Sequence, residues 1–117
     1  MRYRPGLHIL AEFTTAQLSL LQFSAACKAF FSQLVIKYEL HNVGEVYHDF
    51  PGGGFTAVIC LTESHLSIHT WPEYQMATFD VFLSNYQKDN SAKARAIYQD
   101  VLAFFEAVET GKREIIR

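Results

Sequence analysis

Three segments with strand-like patterns follow one another between residues 55 and 83, and no helical pattern separates them. They are Phe55–Leu61, His65–Thr70 and Ala77–Leu83, which are rich in β-branched and aromatic residues. Apolar and polar residues tend to alternate in them, which predicts strands with one buried face. Consecutive strands joined by short turns pair antiparallel, so this stretch favours folds built on an antiparallel sheet.

Two helical patterns flank these strands. The first is predicted to begin at Thr14, where Gln17 completes a capping box, and to end near Lys37. The second is predicted to begin at Ser91 and to end at Gly111, because glycine is common just beyond a helix. The apolar residues at helical spacing are Leu18, Leu21, Phe30, Phe31 and Leu34 in the first helix, and Ile97, Val101, Phe104, Phe105 and Val108 in the second.

Further strands are predicted at Leu7–Phe13, Asn42–Tyr47 and Glu114–Ile116. Residues 51–54, Pro-Gly-Gly-Gly, lack the Lys-Ser/Thr ending of a phosphate-binding loop and are interpreted as a turn. The predicted fold class is α+β, a two-layer sandwich of a mainly antiparallel sheet with two helices on one face. Residues 1–117 are expected to form a single domain, with the other face of the sheet left for solvent or a partner.

Composition argues against several classes of function. The chain has 10 basic and 12 acidic residues and a net charge of −2, which gives no basic surface for nucleic acid. No apolar run approaches the roughly 18 residues of a membrane-spanning helix, and Met1–Gly6 does not begin a secretory signal, so we expect a cytoplasmic protein without a membrane partner. Cys27 and Cys60 are predicted to be buried thiols rather than a disulfide or a metal pair.

Residues 62–73, Thr-Glu-Ser-His-Leu-Ser-Ile-His-Thr-Trp-Pro-Glu, hold many functional side chains for one strand. Metal binding is one interpretation. On a strand, however, the four-residue spacing of His65 and His69 separates them by about 13 Å, so they cannot chelate one ion, and we expect no metal site. A hydrolase triad built on Ser64 or Ser67 is a second interpretation, but neither serine lies in a strand–turn–helix nucleophile elbow.

Backbone self-cleavage is the third interpretation, and the one that we favour. A serine hydroxyl can attack the carbonyl carbon of the peptide bond before it, provided that the turn is strained and a proton shuttle is near. Glu63 and Ser64 lie between two predicted strands, where a tight turn is expected. His69 follows on the next strand and shares a face with His65 and Ser67.

Residues 63–74, Glu-Ser-His-Leu-Ser-Ile-His-Thr-Trp-Pro-Glu-Tyr, resemble the signature of the prokaryotic, pyruvoyl-dependent S-adenosylmethionine decarboxylases. The resemblance extends to residues 8–13, His-Ile-Leu-Ala-Glu-Phe, to His48 and Phe50 before the turn, and to residues 80–82, Asp-Val-Phe. The last helix matches only in pattern. The signature is specific because it joins two histidines, the cleaved serine and a Trp-Pro-Glu run at fixed spacing.

The resemblance implies self-processing between Glu63 and Ser64. The hydroxyl of Ser64 would attack the carbonyl carbon of Glu63 to form an ester. Elimination and hydrolysis would then leave a pyruvoyl group, the cofactor, at the start of the chain 64–117. His69 would shuttle protons in these steps, and Thr56 would assist it.

The same resemblance implies how a substrate binds. The pyruvoyl group would form a Schiff base with the substrate amine and withdraw electrons as CO2 leaves. Phe50 would stack on the adenine, Glu73 would hydrogen-bond the ribose, and His65 is a further candidate for substrate binding. The expected enzyme is a homodimer of processed protomers that decarboxylates S-adenosylmethionine for spermidine synthesis.

The sequence departs from the family near the expected substrate pocket. Where the family continues Thr-Cys-Gly after residues 80–82, this chain has Leu-Ser-Asn, so Ser84 replaces the cysteine that donates a proton after decarboxylation. A hydroxyl is a much weaker acid than a thiol, whose pKa is about 8.5, and Ser84 is predicted to be the poorer donor. Gln75 and Met76 also replace a small and an aromatic residue.

These departures leave two alternatives open. One is a pyruvoyl-dependent decarboxylase of another amine, such as arginine or ornithine. The other is a catalytically dead relative that regulates an active paralogue. Retention of Glu63, Ser64, His69 and Glu73 argues against the second alternative, because an inactive protein has no chemical reason to keep a self-cleavage set.

Overall fold

A computed structural model describes residues 3–86 and 88–117 of the chain. Met1 and Arg2, the start of the segment tested above for a secretory signal, lie outside the described residues, as does Gln87. The elements in chain order are β1 (Leu7–Thr14), α1 (Leu18–Gln22), α2 (Ala25–Lys37), β2 (Asn42–Asp49), β3 (Phe55–Leu61), β4 (Ser64–Trp71), a 3-10 turn (Pro72–Tyr74), β5 (Met76–Leu83), α3 (Ser91–Phe105) and β6 (Val108–Ile116).

The described part of the chain forms one six-stranded sheet in the order β2-β3-β4-β5-β1-β6, and every neighbouring pair of strands is antiparallel. Alternate residues of the four inner strands are buried beneath the helices, so the core lies on one face. Ring contacts join the layers, with Phe79 of β5 packing on Phe31 of α2 and on Tyr98 of α3. The predicted α+β two-layer sandwich is therefore confirmed.

The prediction of one helix from Thr14 to Lys37 is wrong at its start. Thr14 pairs with Met76 and Val108 in the sheet, and the hydroxyl of the next residue, Thr15, donates to the carbonyl oxygen of Phe105 at 2.5 Å. These bonds keep the chain extended, and no side-chain cap forms at Gln17.

The helical segment is also divided in two. The carbonyl oxygens at the end of α1 accept hydrogen bonds from the sheet, with Thr70 Oγ1 bonded to Leu21 at 2.7 Å and the Gly54 N–H to Gln22 at 3.0 Å. Phe23 is extended, and the Ser24 N–H donates to Asp49 Oδ1 at 2.9 Å. Between α1 and α2 the chain therefore makes hydrogen bonds to β2, to β4 and to the turn at residues 51–54 instead of continuing the helical hydrogen bonds.

The prediction that Gly111 ends the last helix is wrong as well. The α3 helix ends at Phe105, and Glu106 takes the left-handed conformation, with φ of +48°. Gly111 lies inside β6, where a Cβ atom would meet Glu12 Oε1 at 2.8 Å. The last strand is longer than predicted and includes Val108, which is 66% exposed rather than part of the helical stripe.

One of the two cysteine predictions is wrong. Cys27 is buried under the sheet, and burial raises the pKa of its thiol to about 12. Cys60 is exposed, because it lies on the face of β3 turned away from the helices. Within the described residues, no helix is long and apolar enough to cross a membrane.

Candidate active site

The bond between Glu63 and Ser64 lies at a tight turn. Leu61, the last residue of β3, pairs directly with Ser64, the first residue of β4, so only two residues make the connection. Ser64 has φ of +143°, a region that residues with a side chain rarely adopt. Backbone in such a conformation costs on the order of 1–3 kcal/mol, so the predicted scissile bond lies next to a strained residue.

The carbonyl oxygen of Glu63 is held by a residue from another strand. It accepts a 2.7 Å hydrogen bond from the backbone N–H of Ser84, which directly follows β5. The carbonyl oxygen of Ser84 in turn accepts from Asn90 Nδ2 at 2.8 Å, and Asn90 is buried at the start of α3. The Ser84 N–H is therefore fixed on the oxygen of the predicted scissile bond, where negative charge would develop during attack.

A cavity of about 390 Å³ opens beside this bond. Its lining joins the turn to the segment between β5 and α3 through Thr62, Glu63, Ser84, Tyr86, Lys88 and Asn90. Sequence reasoning identified Glu63 and Ser84 as members of this group. It missed Lys88 and Asn90, because nothing in a polar loop indicates which of its residues turns toward a cavity.

Thr56 and His69 are brought together as predicted. They are direct partners across β3 and β4, and the hydroxyl of Thr56 hydrogen-bonds His69 Nδ1. Both side chains lie on the uncovered face of the sheet, because the alternating residues of these strands are buried beneath the helices. The pair offers a hydroxyl and an imidazole for proton transfer.

His69 is not near Ser64 in the same chain. They are five positions apart on β4, which amounts to about 16 Å along a strand. The predicted substrate residues lie near His69 rather than near Ser64. Phe50, which is 46% exposed, follows β2 and makes a ring contact with His48, whereas Glu73 is exposed in the 3-10 turn. The candidate site is thus divided between the two ends of the uncovered face.

His65 belongs to a polar cluster near the Ser64 end. Its ring meets the buried His8 edge-on at 5.6 Å between centroids, and His8 Nε2 lies 3.6 Å from Asp80 Oδ2. Burial, and then the neighbouring His8, lower the pKa of His65. Sequence reasoning did not connect these residues, although the register of β1, β4 and β5 places them on adjacent strands.

The same three residues bear on metal binding. One ligand atom from each of His8, His65 and Asp80 lies within 4.8 Å of the others. Arg117, however, places its guanidinium 3.4 Å from His8 Nδ1. His8 Nε2 is buried and has no hydrogen-bond partner among the described residues, because Asp80 Oδ2 at 3.6 Å lies beyond hydrogen-bonding distance. The positive charge of the guanidinium opposes a cation at this cluster, and the expectation of no metal site stays a prediction.

A family model described as S-adenosylmethionine decarboxylase matches residues 7–117. The chain belongs to the S-adenosylmethionine decarboxylase family. The family prediction made from the signature is thereby confirmed, and the match includes the last helix, where the sequence resembled the family only in pattern.

Curated members of this family resemble the chain over about two thirds of its length. An S-adenosylmethionine decarboxylase proenzyme of Archaeoglobus fulgidus is 39% identical over 77 residues, 66% of this chain and 69% of the relative. The proenzyme of a Hydrogenobaculum species is 39% identical over 66% of this chain and 58% of its own. The proenzyme of Picrophilus torridus is 32% identical over 70% of this chain and 63% of its own. The aligned part of the chain thus spans 58–69% of these relatives.

A solved structure supports the family at the level of the fold. The crystal structure of the adenosylmethionine decarboxylase from Aquifex aeolicus matches with a TM-score of 0.79 and 25% identity. The match covers 99% of this chain and 91% of that one, so the two-layer arrangement is shared almost throughout.

Proposed function

We propose that the chain is a self-processing, pyruvoyl-dependent decarboxylase whose substrate is S-adenosylmethionine. The observation that carries the proposal is the hydrogen bond from the Ser84 N–H to the Glu63 carbonyl oxygen, next to a Ser64 with positive φ. A donor on the scissile carbonyl and strain beside it are what attack by a neighbouring hydroxyl requires. Family membership supports the reaction, since the curated relatives are named as decarboxylase proenzymes.

Cleavage would proceed in three balanced steps. The Ser64 hydroxyl attacks the Glu63 carbonyl carbon, the C–N bond breaks, and an ester joins Glu63 to Ser64 Oγ. A base removes the Ser64 Cα proton and the Cβ–O bond breaks, which releases Glu63 as a carboxylate and leaves dehydroalanine. Water then hydrolyses the dehydroalanine. Its nitrogen leaves as ammonia, and a pyruvoyl group remains at the start of the chain 64–117.

Two copies of the chain would be needed to assemble one site. Within one copy the Thr56–His69 pair is about 16 Å along the strand from Ser64, which is too far for direct proton transfer. The uncovered face that carries both groups is partly apolar, with Val46, Val58 and Ile115 exposed to 68%, 38% and 43%. Packing this face against that of a second copy would bury these side chains.

The symmetry of such a homodimer fits the divided site. A two-fold axis between the sheets and across the strands would set the Ser64 end of one copy against the His69 end of the other. Each of the two resulting sites would hold Glu63, Ser64 and Ser84 from one chain and Thr56 and His69 from its partner.

The substrate roles follow from the same arrangement. Once formed, the pyruvoyl group supplies an electron-withdrawing carbonyl for decarboxylation of an α-amino acid. Phe50 would stack on the adenine and Glu73 would accept hydrogen bonds from the ribose, both from the His69 end. Ser84, which lines the cavity beside the cleaved bond, would hold the proton that the product carbon needs. His65 is a half-buried neighbour of this site, and its role in binding stays a prediction.

Intact mass spectrometry tests processing, and CO2 release tests the substrate. We expect fragments of residues 1–63 and 64–117, the second with an N-terminal pyruvoyl mass, and labelled CO2 from carboxyl-labelled S-adenosylmethionine. A chain that stays whole on prolonged incubation would contradict both enzyme hypotheses and favour the regulatory relative. Cleaved protein that releases CO2 from arginine or ornithine alone would establish the other substrate class. The spermidine pathway and the cytoplasmic location stay predictions.

A further inference from the structure

Two lysines gather beside the cleavage site. Lys88 lines the cavity together with Glu63 and Ser84, and the half-buried Lys93 lies in the first turn of α3. Burial lowers the pKa of Lys93, and repulsion by the ammonium group of Lys88 lowers it further, whereas Glu63 acts in the opposite direction. Lys93 therefore lies near the ammonium group of Lys88, and the side-chain carboxylates of Glu63 and Glu39 are its acidic neighbours.

Other groups add positive potential at the same place. Asn90 precedes the first turn of α3 and lines the cavity, so the N-terminal end of that helix borders the cavity, with the Ser91 N–H bonded to Asp89 Oδ1 at 2.8 Å. The side-chain carboxylate of Glu63 is partly engaged elsewhere, because Oε1 accepts a 3.0 Å hydrogen bond from Thr62 Oγ1. A new carboxylate formed at the main chain of Glu63 would therefore lie beside Lys88 and the N-terminal end of α3.

Self-cleavage would create that anion in place. The proposed reaction turns the neutral carbonyl of Glu63 into a carboxylate, made of its original oxygen and the former Ser64 Oγ. One of these oxygens already accepts from the Ser84 N–H at 2.7 Å. We propose that Lys88 and Lys93 form a carboxylate site that binds the new C-terminus of the chain 1–63 and keeps it at the edge of the cavity.

This inference rests on the proposed self-processing and extends it to the product. Strand β3, which leads to Glu63, supplies the buried residues Ile59 and Leu61 to the core. A free chain end frays unless it is held by contacts of its own. Binding of the new carboxylate would keep the end of β3 paired with β4 and would preserve the cavity for the substrate.

The first experiment compares stability before and after cleavage. Lys88→Gln and Lys93→Gln are each made in the cleaving chain and in an uncleavable Ser64→Ala chain, and urea unfolding is measured. We expect each variant to be destabilising in the cleaved form, and neutral or stabilising in the uncleaved form, where the lysines repel each other. Lys37→Gln is the matched control, because the 2.8 Å pair between Lys37 and Asp100 does not depend on cleavage.

The second experiment probes the chain end directly. Carboxypeptidase is added to the cleaved protein, and removal of Glu63 and Thr62 is followed by intact mass. We expect trimming to be roughly tenfold faster in Lys88→Gln and Lys93→Gln, the order expected from one lost charge-assisted hydrogen bond, and unchanged in Lys37→Gln. Lys88→Arg and Lys93→Arg should restore protection because they keep the charge.

The outcomes separate the two proposals. A wild-type chain that stays whole overturns self-processing and this inference together. If the wild-type chain cleaves, two results overturn only the lysine site. One is that the lysine variants change stability equally in the cleaved and uncleaved chains, and the other is that all variants are trimmed at the same rate. Failure of Lys88→Gln and Lys93→Gln to cleave also overturns only the lysine site, since the lysines would then serve the precursor. Unchanged trimming with a raised KM would assign the lysines to the carboxylate of the substrate instead.

Discussion

The backbone N–H of Ser84 donates a 2.7 Å hydrogen bond to the carbonyl oxygen of Glu63. Ser84 therefore has two separable parts. Its N–H is placed to stabilise charge on the predicted scissile carbonyl, and its hydroxyl occupies the position at which the resemblance implies a proton-donating cysteine. Variants at this single position can test processing and turnover independently.

Ser84→Pro should slow processing by about 10²- to 10³-fold, because proline removes the N–H that polarises the Glu63 carbonyl. Leu83, the residue before it, ends a strand, and extended backbone is compatible with a following proline. The accumulation of the two fragments is followed by intact mass. Ser84→Ala keeps the N–H and should process at the wild-type rate. Equal rates for both variants, in chains that circular dichroism shows to be folded, would rule out the role of the N–H.

Ser84→Cys should raise turnover of S-adenosylmethionine without changing the rate of processing. A thiol with a pKa of about 8.5 is a much better general acid near neutral pH than a hydroxyl, and acid catalysis typically contributes about 10²- to 10⁴-fold. The measurement is kcat for CO2 release from fully cleaved protein. Ser67→Cys, on a strand residue away from the cavity, is the control. An unchanged kcat would show that residue 84 does not donate the proton.

The strands were predictable because one period of alternation fixes both their extent and their buried face. Phe55–Leu61 was predicted with its observed bounds, and Met76–Leu83 begins only one residue before the prediction. The helix boundaries were less predictable. Thr14 and Gln17 form a capping pattern locally, but strand pairing with the distant Met76 and Val108 decides the conformation of Thr14.

The candidate site was predictable in its members and not in its assembly. The signature identifies Ser64 and His69, and the pairing of Thr56 with His69 agrees with the role that the resemblance implies. Residues of one strand can be too far apart to share a site, however, and His69 lies five positions along β4 from Ser64. Lys88 also carried no sequence signal, since a lysine in a polar loop is usually only solvated.

His65 should make the stability of the fold depend on pH. Burial and His8 lower its pKa, whereas an unfolded chain has an imidazole pKa of about 6.5. As the pH falls through about 6.5, the unfolded chain binds a proton before the folded chain does, so the free energy of unfolding decreases. This contribution is complete above about pH 6.5 and is lost progressively below it.

His65→Asn should therefore flatten the pH dependence of the free energy of unfolding below about pH 6.5, as measured by urea unfolding in a Ser64→Ala background. Phe82→Leu is a suitable control, because Phe82 contacts the His65 ring at 6.1 Å between centroids but does not titrate. Phe82→Leu should lower the free energy of unfolding but change its pH dependence less than His65→Asn does. A His65→Asn chain with the same slope as its parent would contradict the prediction.

Mixed dimers can test whether one site is built from two chains. His69→Ala should process at least about 10²-fold more slowly, because the proton shuttle is lost, and Ser64→Ala should not process at all. Co-expression of the two variants should restore cleavage, since a mixed dimer holds one site with Ser64 from one chain and His69 from the other. Only the His69→Ala chains should be cut, about half of them if pairing of a symmetric dimer is random. The mass of each 64–117 fragment identifies its parent chain. If wild-type protein cleaves but the mixture does not, Ser64 and His69 of the same chain must act together, and β4 would have to bend to bring them into contact.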